Sequence, residues 1–475
     1  MKNKEEEYVW KVMNQLRGRT SLFNSVILIS NFIFYRYISE HKVSLNLNLS
    51  QQSDFQTIVD ETKKNKFTIV ELQSALNTIE TANKNLNGIF QNLNLNSVEY
   101  GNSNDERISL FKEVLLLINT LDFTEISYGK FFEILFEKYA AQSRITSTAK
   151  SISKVVANLL VTNIKDKPIT IYDPTIGTGN MIATFLDNLK TTKVSIVGDE
   201  INPVLYNIAK MNLIIHGLKL NQFTIKNINS LEGKWNGKEN ADFVSIDPPY
   251  SAKWDANTEL LKDSRFKNYG VLPPQSKADY AFLLQGLVHL KESGTMAIVL
   301  PHGVLFRSAK ERKIRQKLLE DGNIEAVIGL PSNLSYNTAI PLIIMILKKN
   351  RNDKNVFFID ASQEYEKERL INTLNNQEIK KIVDTYKNKK EIKNYSYLAT
   401  WDEIKKNDFN LNISRYISPF DESKLPSLQE SNFKLKEIQD KIKKDNNELV
   451  SALEQIDSKH DNKELKKLID LIKVN

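Results

Sequence analysis

Asp247-Pro248-Pro249-Tyr250 ends the apolar run of ADFVSIDPPY, residues 241–250. Phe243, Val244 and Ile246 read as a buried strand, and the two prolines stop it. Proline has no N–H, so this corner is rich in carbonyl acceptors, and Asp247 adds two side-chain oxygens. A stiff acceptor cluster suits a planar –NH2 group, whose nitrogen lone pair is delocalised and therefore a poor nucleophile. Holding both hydrogens, one toward Asp247 and one toward the Pro248 carbonyl, draws that nitrogen toward tetrahedral geometry and frees the pair for attack. Tyr250 offers a face on which an extruded base could stack, worth about 1–3 kcal/mol. Alone, a Pro-Pro after a strand is also simply a turn.

Two other strand ends supply companions. DPTIGTGN, residues 173–180, follows the apolar run ITIYD. Gly177 and Gly179 allow a tight turn and close backbone approach to a nucleoside-sized ligand, and Asp173 could accept from an ammonium group. Thr175 and Asn180 belong to the same turn. No Gly-Lys-Ser/Thr follows, so this is no phosphate-binding P-loop. The next strand ends in GDEINP, where Glu200 could accept from two ribose hydroxyls. Asn227 and Asn229 follow a third strand, and either could meet an adenine ring. Each feature has a plainer reading taken singly: a tight turn, a surface acid, loop asparagines.

The elements that must carry these residues follow from periodicity. Residues 1–125 read as helices with Asn-rich loops; YVWKVMNQLRG and SLFNSVILISNFIFYRYISEH carry apolar residues at helical spacing, with Ser21 or Thr20 able to cap the second. Two amphipathic segments cover 126–165. Seven β-rich runs then alternate with helical ones: 169–173, 194–199, 222–226, 241–246, 295–300, 323–330 and 341–347. This pattern predicts a mostly parallel α/β sheet, helices on both faces, ligands at the strands' carboxyl ends. In the tail, Leu435, Ile442, Leu449 and Ile456 recur every seven residues, with Ile438 and Ala452 in the companion seam and Asp445 interrupting it. Asp461 and Glu464 form a candidate capping box for a last helix.

Bulk properties narrow the classes. The chain has 475 residues, no cysteine and five histidines, none closely paired, so neither a disulfide nor a zinc site is expected. A net charge of +7 is compatible with nucleic acid or with a solvated Lys-rich surface. The charged start MKNKEEEY has no signal-peptide core, and residues 22–35 read as a buried helix, too short and too polar for a membrane span; a cytoplasmic location is expected.

In their order and spacing, DPTIGTGN, GDEINP and IDPPY resemble motifs I, II and IV of amino-methylating, S-adenosylmethionine-dependent DNA methyltransferases. WKVMNQLRGRTS and FIFYRYISEH resemble the helical N-terminal domain of the modification subunit of type I restriction–modification systems. The run from KADYAFLLQG to NTAIP resembles that subunit's catalytic domain, and NDFNLNISRYI the stretch before its C-terminal helices; the likeness spans residues 8 to 420. It implies a seven-stranded Rossmann-like methyltransferase domain over 126–420, a helical domain over 1–125 and partner-docking helices over 421–475. It implies S-adenosylmethionine held by Thr148, Asp173, Thr175, Gly177, Gly179, Asn180, Glu200 and Asn229. The target adenine would meet Asp247, Pro248, Pro249 and Tyr250, in a pocket framed by Asp279, Phe282 and the segment around Thr338. No metal is implied.

The implied activity is N6 methylation of an adenine flipped out of double-stranded DNA. The implied partners are a specificity subunit, with two copies of this chain on each, and a restriction–translocase subunit, because neither a Walker A sequence nor a nuclease-like module occurs here. The near alternatives are cytosine N4, an RNA base or a protein glutamine as acceptor, and a cofactor-binding scaffold without turnover. Three departures stand out. The family usually has Asn-Pro-Pro-Phe where this chain has Asp247-Pro-Pro-Tyr250, an aromatic-Thr-Pro element where it has Ser147-Thr148-Ala149, and an acid where it has Asn229. Lys310, Arg312, Lys313 and Arg315 in SAKERKIRQK are candidates for DNA phosphate.

Overall fold

The computed structural model describes residues 4–143, 148–161, 167–189, 193–232, 237, 240–336, 338–418, 427–460 and 463–474. Two compact units divide the chain, Met1–Ile417 and Ser418–Asn475.

The first unit begins with six helices: α1 (Lys4–Leu16), α2 (Leu22–Glu40), α3 (Phe55–Lys63), α4 (Ile69–Ala82), α5 (Asn104–Asn119) and α6 (Tyr128–Ser143). Ser21 is the cap of α2, accepting from the Asn24 N–H at 3.2 Å. Among the described residues, α2 is the helix whose length and composition would suffice to cross a membrane, longer than the 22–35 window suggested. It is instead packed on nearly all sides: Leu28, Ile29, Phe32, Ile33, Phe34 and Ile38 are fully buried. Each such side chain contributes about 1.5–3 kcal/mol through burial. Phe131, Phe132, Leu135 and Phe136 of α6 share this core, as do Ile208, Met211 and Ile214 from further along the chain.

A nine-stranded sheet follows. Its strands are β1 (Ile169–Asp173), β2 (Val194–Asp199), β3 (Phe223–Lys226), β4 (Ala241–Ile246), β5 (Leu290–Pro301), β6 (Ile324–Gly329), β7 (Leu342–Lys348), β8 (Val356–Asp360) and β11 (Ser396–Ala399), while β9 (Glu366–Lys367) and β10 (Asn372–Thr373) form a separate ribbon. The order is β11-β8-β6-β7-β5-β4-β1-β2-β3. All seven expected strands are present, but the count of seven is corrected to nine. VFFID, 356–360, is a continuous apolar run too short to be told from other buried segments until it pairs parallel with β6, and SYLA, 396–399, is a strand only because β8 offers it an edge. β7 is antiparallel to both neighbours; every other pairing among the first eight strands is parallel.

Helices α7 (Lys150–Leu160), α8 (Asn180–Asp187), α9 (Pro203–Ile215) and α12 (Asn376–Asn388) contribute to the core on one face of the sheet, and α10 (Asp279–His289) and α11 (Ala309–Glu320) to that on the other; α13 (Trp401–Lys406) closes the unit. Because β1 pairs with β2 on one side and β4 on the other, the strand order reverses between β1 and β4. That reversal opens a crevice at their carboxyl ends, where DPTIGTGN and IDPPY both begin.

The second unit is a helical hairpin, α14 (Leu428–His460) and α15 (Lys463–Val474), tied by Lys473 Nζ on Glu454 at 2.7 Å. Val450 and Ile469 are buried, whereas the seven-residue stripe of Leu435, Ile442, Leu449 and Ile456, with Ile438 of the companion seam, is exposed. Asp461 of the expected capping box lies outside the described residues.

Candidate active site

The crevice holds a cavity of about 310 Å³ at the ends of β1, β2, β3 and β4. Gly177 (φ 56°) and Gly179 (φ 79°) both sit in the left-handed region, so glycine is required at each. A Cβ on Gly177 would meet only the Thr175 carbonyl, at 3.8 Å, while one on Gly179 would sit in contact with Ala209 of α9 at 3.5 Å. Gly177 therefore leaves room for a ligand, and Gly179 for a helix. Across the turn, Glu200 accepts from the Gly177 N–H at 2.9 Å and from the Asn202 N–H at 2.7 Å. Asn202 also caps α9, with Pro203 in its first turn.

Of the residues singled out from sequence, Thr148, Thr175, Gly177, Asn180, Glu200, Asn229, Asp247, Pro249 and Phe282 line the cavity. Asp173, Gly179, Pro248 and Tyr250 stand behind its wall. Asp173 is buried and spends Oδ1 on the Thr175 N–H at 2.9 Å and hydroxyl at 3.3 Å. Asn227 clips the neighbouring loop by donating to the Glu200 carbonyl at 2.7 Å. Asn229 spends its amide on Glu232 and the Leu231 N–H. Asp279 does not line the cavity: its buried carboxylate accepts from the Ser251 N–H at 2.8 Å and from Arg307 at 2.7 Å. Ser251, directly after Tyr250, holds a left-handed φ of 51°, so Asp279 pins a strained residue that turns the chain away. Thr338 is absent from the wall; Ser147 and Asn337 lie outside the described residues.

Several wall residues carry no local signal. Trp254 lines the cavity because its indole N–H donates to the Pro274 carbonyl at 3.0 Å, folding the 252–278 loop back over the site. Ile201 and Ile228 add exposed apolar surface, and Asp199 and Lys253 complete the wall. Asn212, fully buried on α9, donates to the Thr178 carbonyl and to Asn180, both at 2.9 Å, bracing the turn. Asp199 itself stands in GDEINP, but that motif drew attention to Glu200 instead.

The electrostatics are one-sided. Asp199, Glu200 and Asp247 face the cavity with Lys253 as the one cation among the described residues of its wall, and Asp173 lies just behind. Burial pushes the carboxyls of Glu200 and Asp247 up. It pushes Asp173 to about 8, with Asp247 and Glu200 adding to the rise and the Thr175 donors opposing it. A cationic ligand is what such a wall would welcome.

The rise at Asp173 has a sign. Its folded value of about 8 exceeds the ordinary 3.8, so the folded chain keeps a proton that the unfolded chain gives up between those pH values. Stability from this group is intact below pH 4 and is lost as pH climbs through 8. Asp173→Asn is therefore expected to melt at or above the parent temperature at pH 8.5, with the gap shrinking toward pH 5, in thermal melts of ligand-free chain. A gap independent of pH would show that Asp173 is not held protonated.

An open groove of about 1190 Å³ shares Asn229, Lys253 and Trp254 with the cavity and is lined further by Lys277, Arg307 and Lys310, with Glu232, Asp255 and Glu311. The basic helix α11 thus divides. Lys310 and Lys313 are exposed, but Arg312 pairs with Asp408, and Arg315 is buried on three backbone carbonyls. Arg315 is therefore not placed for phosphate.

Comparison with known proteins agrees with this architecture. The N-6 DNA methylase family matches residues 125–425. The chain is 30% identical to the methylase subunit of the type I restriction enzyme MpnII of Mycoplasma pneumoniae, covering 97% of this chain and 98% of that one. It is 31% identical to the MjaVII methylase subunit of Methanocaldococcus jannaschii, over 92% of this chain and 82% of the other. The crystal structure of a type I restriction-modification methyltransferase subunit from Streptococcus thermophilus superposes with a TM-score of 0.84 at 31% identity, covering 88% of this chain and 99% of that chain. The strand order, the glycine turn beside Glu200 and the Asp-Pro-Pro-Tyr corner are shared by one crevice, and with these likenesses the chain belongs to the N-6 DNA methylase family, among the methylase subunits of type I restriction enzymes.

Proposed function

We propose that this chain transfers a methyl group from S-adenosylmethionine to N6 of an adenine flipped out of double-stranded DNA, as the modification subunit of a type I complex. The observation that carries the reading is the meeting of Gly177, Glu200 and Asp247 on one cavity whose wall is acidic. The residues fit the cofactor: the Gly177 turn leaves space, the carboxylates suit a sulfonium and an ammonium, and Glu200 keeps free lone pairs for ribose hydroxyls. Thr148, Thr175, Asn180 and Asn229 would line the same ligand, with Asp173 and Gly179 supporting the turn from behind. When bound, S-adenosylmethionine would supply an electrophilic methyl whose sulfur departs with the bonding pair.

The protein's own part is positioning and charge. Asp247 accepts one N6 hydrogen, the Pro248 carbonyl the other, and Pro249 stiffens the corner, so that the nitrogen pair points at the methyl. The Tyr250 ring, expected from sequence to offer a stacking face, is packed behind the wall on the core that holds α7 and α8 and backs the corner from there. The proton on N6 leaves after transfer to Asp247 or to water. Flipping is needed because the amino group is otherwise buried in base pairing. The groove beyond Trp254, with Lys253, Lys277 and Lys310, would take the flanking strand.

The family match over 125–425 supports a catalytic domain over 126–420, flanked by helical regions 1–125 and 421–475. The exposed heptad stripe of α14 is a surface for a specificity subunit, two copies of this chain per subunit, with a restriction–translocase subunit joining the full assembly. A cytoplasmic location accords with that work. Labelled methyl offered to the chain with its recognition partner should appear on adenine of duplex DNA. Label on cytosine, on RNA or on protein glutamine, or on nothing, would overturn the reading.

A further inference from the structure

Asp247 is held from two sides. The Tyr250 hydroxyl donates to its Oδ1 at 2.6 Å, and the Thr148 side chain also hydrogen-bonds it. The two donors come from segments a hundred residues apart in sequence, and their shared acceptor faces the cavity. Tyr250 itself does not line the cavity; its ring packs at the edge of the core that holds α7 and α8. The hydroxyl is the single group by which tyrosine exceeds phenylalanine, and here it is spent wholly on Asp247.

The terminal torsion of an aspartate is soft, with a broad rather than staggered profile. An untethered Asp247 would therefore turn its carboxylate over a wide arc, and the oxygen meant for the base amine would be aligned only part of the time. The Tyr250 hydroxyl on Oδ1, with Thr148 as the second hold, restrains that rotation while the carboxylate faces the cavity. Effective alignment of this kind carries rate, because small misplacements at a reacting centre are costly.

From this geometry we infer that Tyr250 is a positioning residue acting through its hydroxyl, which orients the Asp247 carboxylate toward the substrate amine, separately from any stacking by its ring. The inference rests on the methyltransferase reading above and adds a second task to one of its residues. It makes Asp247 and Tyr250 one unit rather than two independent contributors.

The test is a double-mutant cycle on the chain assembled with its recognition partner, using Tyr250→Phe, Asp247→Ala and the pair, with Tyr250→Ala as a further variant. Tyr250→Phe keeps the ring, so KM for DNA and affinity for S-adenosylmethionine should stay at parent values while kcat falls about tenfold. Unchanged cofactor affinity also shows that the variant is folded. Tyr250→Ala should lose kcat at least as far, since the packed ring that seats the hydroxyl goes too. In the Asp247→Ala background, adding Tyr250→Phe should cost nothing further. Parent-like kcat in Tyr250→Phe, or losses that multiply in the double variant, would overturn the assignment and leave the methyltransferase reading intact. A parent complex that methylates no DNA would overturn both.

Discussion

Asp247→Ala, assembled with its recognition partner, is expected to transfer methyl to duplex DNA about 10²–10³-fold more slowly than the parent chain, the range seen when one preorganised polar group is removed from a reacting centre. The reason is local. Asp247 is the side chain of the Asp-Pro-Pro-Tyr corner whose oxygens face the cavity; Pro248 is packed and Tyr250 stands behind the wall. Without the carboxylate the base amine keeps one hydrogen unpaired and its lone pair stays in the ring. Binding of S-adenosylmethionine should change far less, because the Gly177 turn and its Glu200 tether at 2.9 Å do not involve Asp247. Single-turnover methyl transfer and calorimetric titration of the cofactor separate the two. A variant that transfers at the parent rate would mean that the chemistry lies elsewhere in the crevice.

The second large effect falls on stability. Arg315→Ala should destabilise the Met1–Ile417 unit by about 3 kcal/mol, because it empties the space of a fully buried side chain and removes three hydrogen bonds. Arg315 is 1% exposed; its guanidinium donates to the carbonyls of Phe409 at 2.7 Å, Val304 at 3.0 Å and Arg307 at 3.1 Å. The side chain thereby fastens α11 to the segment that follows α13. Lys313→Ala, two residues away on the exposed side of the helix, should stay within about 0.5 kcal/mol of the parent. Urea unfolding of the two variants compares them directly. Equal midpoints would mean that Arg315 is dispensable to the packing, and its reading as a DNA contact would have to be reopened.

Those two residues mark the division between what the chain shows locally and what it does not. Strand ends, turn glycines and caps are settled by a few neighbours. Gly177 and Gly179 declare a tight turn, Ser21 declares a helix start, and the seven alternating runs declare a layered α/β sheet. The order of DPTIGTGN, GDEINP and IDPPY along the chain was therefore enough to place three motifs on the carboxyl ends of β1, β2 and β4.

Partner choice needs the folded chain. In SAKERKIRQK four cations look alike, yet Arg315 is claimed by Phe409, 94 residues on, and Arg312 by Asp408, while Lys310 and Lys313 keep to the surface. Asp279 reads as part of the pocket but is used to pin Ser251, and Trp254 has no motif at all until Pro274 returns beneath it. β8 and β11 lie beyond the run of alternating strands and helices that marked the others, and only their pairing with β6 and with each other identifies them. Helical and extended propensity act over a handful of bonds; burial and hydrogen-bond pairing depend on which distant segment arrives, and only the tertiary structure decides that.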